Sequence, residues 1–115
     1  MKPNVSLDPR YLGAVLLSLA ILSLGCGAVS NPALQRARDD YDRARQDREL
    51  VRRAGVALDR ARLTLDQAER VWTTENDVVE TEHLAYIAEK RIEIARAIAR
   101  RRMAADDIQQ LNSRQ

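Results

Sequence analysis

Apolar residues recur at alternating spacings of three and four along most of the chain after residue 31, and this period is typical of amphipathic helices. One stripe consists of Leu34, Ala37, Tyr41 and Ala44, and the next consists of Val51, Ala54, Leu58, Ala61, Leu65, Ala68 and Trp72. The alternation of spacings is broken near the start of the second stripe, next to Gly55, where the step from Val51 to Ala54 is three residues and four would be expected. We therefore predict a helix over about residues 32–47, a turn between Asp47 and Gly55, and a second helix over about residues 55–73.

A third helix is predicted over about residues 78–112. Asp77 and Glu80 have the spacing of a capping box at its start. Its apolar face covers roughly half the circumference of a helical wheel. The residues on this face are Leu84, Ala85, Ile87, Ala88, Ile92, Ile94, Ala95, Ile98 and Ala99.

Two features of this pattern favour three packed helices over two. The face on the third helix is wide enough to contact two partners, so we expect Ile87, Ile94 and Ile98 to be buried. The second helix also carries a minor apolar pair on its far side, Val56 and Leu63. A bundle would use both features, whereas a simple hairpin would leave one of them in water.

The predicted fold class is all-α. Pro32 is the only proline after Cys26 and Gly55 is the only glycine after residue 27, so little interrupts the helices. Asn31 followed by Pro32 predicts a helix start, because asparagine caps free amides and proline suits the first helical position. We predict a small antiparallel three-helix bundle over residues 32–112 and a tail over 113–115. The alternative is a long helical hairpin, in which the first two helices are continuous. The stripes are rich in alanine, which buries little area per residue, so we expect modest stability.

The N-terminal segment has the layout of an export signal. Lys2 and Arg10 precede thirteen uncharged residues, Leu12 to Leu24. A membrane-spanning helix needs about 20 apolar residues, whereas thirteen suits the apolar core of a secretory signal peptide. We predict a cleaved signal peptide over residues 1–25.

The end of this segment resembles a bacterial lipobox, Leu22-Ser23-Leu24-Gly25-Cys26. We predict cleavage between Gly25 and Cys26, a covalent lipid on Cys26, and a short tether over residues 26–31. The alternative is an uncleaved membrane anchor with a buried cysteine. Because Cys26 is the only cysteine, neither an internal disulfide nor a CxxC metal or redox motif is available.

The lipid would anchor the protein to a membrane and place it in the cell envelope. Aspartate after the lipidated cysteine favours inner-membrane retention in enteric bacteria, and residue 27 is glycine. We therefore expect an outer-membrane protein facing the periplasm, with the inner membrane as the alternative.

Charge and side-chain chemistry exclude several function classes. The chain has 19 Lys or Arg and 17 Asp or Glu, well interspersed, whereas a nucleic-acid binder would have a one-sided basic face. His83 is the only histidine, and its spacing from Glu80 is half of a di-iron motif whose other half is missing. We predict no catalytic residues, no metal site, and no cofactor besides the lipid on Cys26.

Two segments resemble a known family, Val56-Ala57-Leu58-Asp59-Arg60-Ala61 and His83-Leu84-Ala85-Tyr86-Ile87-Ala88-Glu89-Lys90-Arg91. The family is the lipoprotein family called domain of unknown function 4398, and the resemblance covers about residues 32–108. Many of its members continue into an OmpA-like domain that binds peptidoglycan. Because this chain stops at Gln115, we expect that domain to be absent. The resemblance implies an exported helical lipoprotein, and the family has no established activity.

Two functions fit these expectations. The first is a non-catalytic structural or scaffolding lipoprotein of the envelope, which forms homo-oligomers or acts alone. The second is a helical module that binds a periplasmic protein or peptidoglycan. The candidate contact residues are Tyr86, predicted to lie opposite the apolar stripe, and Arg100, Arg101 and Arg102. Arg91 lies inside the apolar arc, and we expect its guanidinium either to extend to the surface or to pair with a carboxylate on another helix.

The Cys26→Ser substitution should abolish lipidation and cleavage after Gly25, since the lipid is attached through the cysteine sulfur. Intact-mass spectrometry of the wild-type and substituted proteins measures both events. A processed wild-type protein whose mass includes no acyl chains would contradict the lipoprotein interpretation.

Overall fold

The computed structural model describes residues 29–115, which form three α-helices. The first, α1, spans Pro32–Gln46; α2 spans Arg48–Thr74; and α3 spans Val78–Ser113. No strand occurs within this part of the chain, and the predicted all-α fold is confirmed. The predicted signal peptide and most of the predicted tether lie outside the described residues.

Side-chain caps fix the starts of α1 and α3 as predicted. The Asn31 side chain accepts a hydrogen bond from the Leu34 amide at 3.0 Å, and Pro32 takes the first helical position. The Asp77 carboxylate accepts from the Glu80 amide at 3.0 Å. These oxygens satisfy amides that have no partner inside a helix.

The junction between α1 and α2 differs from the prediction. A single extended residue, Asp47, separates the two helices, and its carboxylate accepts from the Glu49 and Leu50 amides at 3.0 and 3.1 Å. The second helix therefore begins at Arg48 and not near residue 55. A kink follows at Ala54, where φ is −137° and ψ is 31°. The predicted turn region thus contains a capped break and a kink, and the first two helices are not continuous.

The helices alternate in direction. Contacts from Arg53 to Asp106 and from Thr64 to Arg91 show that α2 runs antiparallel to α3. Asp40 on α1 binds Arg96, and Pro32 lines a groove together with Glu82, so α1 runs parallel to α3. The start of α1 and the turn between α2 and α3 therefore lie at the same end of the bundle, which we call the turn end.

The core consists of two neighbouring clusters, one near the turn end and one near the kink. Tyr41 packs against both of them, and its burial raises the pKa of its hydroxyl. Nine of the sixteen buried hydrophobic residues are alanine. Small side chains let the helix backbones approach closely, but each buries little apolar area. The largest fully buried apolar side chains are Leu34 and Ile92.

The predicted burial of the isoleucines was wrong in part. Ile94 is 55% exposed, and Ile87 and Ile98 are half-buried, whereas Ile92 is completely buried. Ile92 and Ala95 define the buried arc here, and at 3.6 residues per turn Ile94 projects about 100° away from Ala95. The buried residues of α3 therefore cover a narrower part of the helical wheel than its apolar residues do.

The buried stripe on α2 also differs from the predicted stripe at both of its ends. Leu50 is buried in place of Val51, and Val71 is buried while Trp72 is only half-buried. The kink explains the first shift, because residues before Ala54 belong to a helical segment with a different phase. Val56 and Leu63 were expected to be buried in a three-helix bundle. They are instead 72% and 57% exposed.

Within the described residues, none of the helices is long and apolar enough to cross a membrane.

The Ile92→Ala substitution should destabilise the bundle strongly, whereas Ile94→Ala should change its stability little. Truncating a buried isoleucine commonly costs about 2 to 5 kcal/mol, a large part of the stability of a small domain. Thermal unfolding followed by circular dichroism measures the difference. Equal melting temperatures for the two variants would contradict the helical phase that places Ile92 in the core.

Candidate functional site

The predicted lipidation and cleavage residues, Cys26 and Gly25, lie outside the described part of the chain. The candidate surface therefore consists of the other predicted contact residues, Tyr86 and the three arginines at 100–102. These lie on one helix, yet Tyr86 and Arg101 are fifteen residues apart, which is about 22 Å along α3. They do not form a single site.

Tyr86 is exposed, as predicted, with 57% of its surface accessible. The Lys90 ammonium lies 5.5 Å from the centre of its ring, within the range of a cation–π contact. Lys90 also donates to the Glu93 carboxylate at 3.0 Å, and this hydrogen bond raises the pKa of Lys90. Tyr86 lines a shallow groove with the start of α1, including Pro32. The Tyr86 ring therefore already contacts Lys90 and lies beside the start of α1 within the chain.

The three consecutive arginines point in different directions because successive helical residues are rotated by about 100°. Arg100 lies beside Leu50 and Met103, on the side of the bundle where α2 begins. Arg101 and Arg102 line one cavity on another side of α3, and Arg102 also reaches across to α2. Arg100 therefore lies on a different surface from Arg101 and Arg102.

Arg102 has a structural role at the kink in α2. Its guanidinium donates a hydrogen bond to the Arg53 carbonyl, directly before the non-helical Ala54. A kink disturbs the helical hydrogen bonds that cross it, and a donor from another helix can satisfy a carbonyl there. Arg53 in turn binds Glu49 and Asp106, and the Asp106 bond raises the pKa of Arg53.

A groove between α2 and α3 opens beside this kink, and we call it the arginine groove. It comprises two adjoining cavities of about 350 and 390 Å³ that share Ile98 and Arg102. The first lies between α2 and α3, whereas the described residues that line the second all belong to α3. The apolar and charged side chains that line the groove are Val51, Val56, Ala57, Ile98, Arg52, Arg53, Arg60, Arg101 and Arg102. Among the described residues, those that line the two cavities include arginines and apolar side chains but no carboxylate.

Arg91 extends the positive charge along the same side of the bundle. It donates to the Thr64 hydroxyl, and to the Arg60 carbonyl at 3.4 Å. Of the two expected arrangements, the first is the one observed, since Arg91 reaches the surface and is exposed. Thr64 is buried, so the guanidinium lies over the edge of the core and meets a hydroxyl and a carbonyl there.

Among the described residues, two ion pairs join α1 to the long helices. Asp40 forms a bidentate ion pair with Arg96, at 2.8 and 3.2 Å, and this bond raises the pKa of Arg96. Glu69 binds Arg38 at 2.5 Å. None of these four residues lines the arginine groove.

The segment that carries Glu75, Asp77, Glu80 and Glu82, which we call the acidic turn, lies next to His83 at the turn end. His83 and Glu80 are exposed at the start of α3, and Glu80 takes part in the cap through its amide. In residues 29–115, no group of three or more His, Cys, Asp or Glu side chains is placed to hold a metal ion.

Sequence reasoning missed the arginine groove, although it contains a recognisable signal. Val56 and Arg60 are four residues apart on α2, and Ile98 and Arg102 are four apart on α3. Each pair places an apolar side chain and an arginine on one helical face. The two faces come together only when the register between α2 and α3 is known.

The sequence model of a family described as a domain of unknown function (DUF4398) matches residues 32–111. No curated protein and no solved structure matches the chain.

The Arg102→Ala substitution should lower stability by about 1 kcal/mol, the net value of a typical hydrogen bond, since the Arg53 carbonyl loses its donor. In a domain of this size that corresponds to a melting temperature lower by about 4 to 8 °C. Arg101→Ala removes the same charge without touching the kink and is the matched control. If both substitutions lower the melting temperature equally, Arg102 has no special role at the kink.

Proposed function

The chain belongs to the domain of unknown function 4398 family, and from that premise we propose that it is a lipid-anchored, non-catalytic scaffold protein of the bacterial cell envelope. In this proposal the protein is attached to the outer membrane through Cys26 and faces the periplasm. The inner membrane is the alternative location. The bundle then holds a binding surface at a set distance from the membrane.

The sequence before the bundle carries this proposal. An uncharged segment of thirteen residues ends shortly before Cys26, and α1 begins at Pro32. Five peptide units separate Cys26 from Asn31, which span at most about 18 Å when fully extended. A lipid on Cys26 would therefore keep the start of α1 close to the membrane surface. Two or three acyl chains would make the attachment stable.

The direction of the helices supports a scaffold role. Because α1 begins at the turn end, the anchor would hold that end, and α3 would extend away from it. The part of α3 from Glu82 to Ser113 is about 45 Å long. Arg102 and the arginine groove would lie toward the far end. The ion pairs between α1 and the long helices would hold α1 in register with them.

The arginine groove favours a second candidate function, a helical module that recruits a periplasmic protein or peptidoglycan. Its exposed apolar and positively charged side chains are not needed for the core: Val56 is 72% exposed. An envelope spacer without a ligand would have no use for a concave surface of this composition. The two functions are compatible, since a scaffold can present a binding site.

In cells, the full chain should fractionate with the outer membrane, and Cys26→Ser should release it from that fraction. Density-gradient separation of membranes, with immunodetection of the chain, measures the distribution. Added protease should digest the wild-type protein only after the outer membrane is permeabilised, because the bundle faces the periplasm.

The Arg70→Glu variant is a suitable control, since it changes an exposed residue of α2 without altering the anchor. A wild-type protein in the soluble cytosolic fraction would overturn the proposal. Co-sedimentation with the inner membrane would support the alternative location and refute the outer-membrane assignment.

A further inference from the structure

We infer that the arginine groove binds an acidic amphipathic helix of another envelope protein. The groove combines three properties on one side of the bundle: a concave shape, exposed apolar side chains and arginines without carboxylate partners. Each property restricts the kind of ligand that fits.

The charge of the groove selects an anionic ligand. In the part of the chain that the structure describes, Arg60, Arg101 and Arg102 take part in none of the ion pairs, whereas Arg52 pairs with Glu49, and Arg53 pairs with Glu49 and Asp106. A guanidinium matches a carboxylate through two parallel hydrogen bonds. The unpaired arginines therefore favour glutamate or aspartate side chains.

The apolar residues of the groove select a ligand that also carries apolar side chains. Val56 and Val51 are 72% and 42% exposed, and Ile98 is half-buried at the boundary between the two cavities. A purely polar chain, such as a glycan strand, would leave these residues in water. An amphipathic helix can place its apolar stripe on them and its carboxylates on the flanking arginines.

The concave shape argues against a membrane surface as the ligand. The cavity of about 350 Å³ lies between two helices, so it accepts individual side chains. A bilayer surface is flat on this scale and would meet only the rim. A helix has a diameter of about 10 Å with its side chains, which suits a groove between two packed helices.

A second copy of the chain is less suitable than another protein. Its acidic turn, with Glu75, Glu80 and the exposed Val79, has the right chemistry. Under the proposed function, however, that turn lies at the anchored end of every copy. The groove lies between residues 98 and 105 of α3, about 24 to 35 Å further along the helix than Glu82. If two copies are anchored in one membrane with the same orientation, the acidic turn of one copy and the arginine groove of the other lie at different distances from the membrane and do not meet.

The inference rests on the proposed function for the location of the partner, but the binding itself can be measured without it. The probe is a synthetic, fluorescently labelled peptide of about 14 residues, or about four turns, with leucine along one face and glutamate elsewhere. The full chain in non-ionic detergent is titrated into it, and fluorescence anisotropy reports binding. The anisotropy of the labelled peptide does not depend on where the protein is located in the cell or on whether it carries a lipid.

The wild-type chain should bind the peptide in a saturable manner, and binding should weaken as salt screens the charges. The double variant Arg60→Glu and Arg101→Glu should bind about tenfold or more weakly, since charge reversal replaces attraction by repulsion. Both side chains are exposed and lie outside the core. Arg102 is left unchanged because it serves the kink.

The matched control is Arg70→Glu, which reverses an exposed charge elsewhere on α2 and should leave the affinity within about twofold of wild type. Val56→Ser should weaken binding without changing the helical circular dichroism. A peptide of the same composition whose leucines are scattered should bind more weakly than the striped one.

Several outcomes would overturn the inference. These are no saturable binding, equal loss in the Arg70→Glu variant, or equal affinity for the scattered peptide. Binding to vesicles containing anionic lipid, lost in the double variant while the peptide does not bind, would identify a membrane ligand instead. Self-association in sedimentation experiments, abolished by the same double variant, would identify a second copy as the occupant.

Discussion

The close contact between α2 and α3 is the interaction on which the rest of the structure depends. Ala54, Ala61 and Ala68 on α2 are almost fully buried, as are several alanines on α3. Small residues at this spacing keep one face of each helix flat, so the two backbones can approach closely. Because each alanine buries little area, stability comes from the length of the contact and from the few large side chains, such as Ile92.

The first helix is held differently, by side chains at its edges. Its buried stripe is short and consists of Leu34, Ala37 and Ala44, with Tyr41 half-buried. Ion pairs from Arg38 to Glu69 and from Asp40 to Arg96 join it to both long helices. Partly exposed pairs contribute modestly to stability, but they fix the register of α1.

The arginine groove lies beside the kink at Ala54. Before the kink, Leu50 packs in the same core cluster as Ile92. Arg102 binds the carbonyl that directly precedes the kink, and Val51 and Val56 are exposed on either side of it. The kink and the groove therefore share Arg102, which joins α3 to α2 at this point.

The sequence alone determined the all-α class, the caps at Asn31 and Asp77, and most of the buried stripe, because spacing and capping are local properties of a helix. Family membership followed from the same helical segments. The sequence could not show that Ile94 is exposed, since the width of a buried arc depends on where the partner helices lie. Nor could it show that the segment before Ala54 is helical, because its phase conflicts with the stripe that follows. The hydrogen bond from Arg102 to the Arg53 carbonyl, and the presence of Arg60 and Arg102 in one groove, depend on the register between α2 and α3. That register is set by packing between distant residues, and only the tertiary structure decided it.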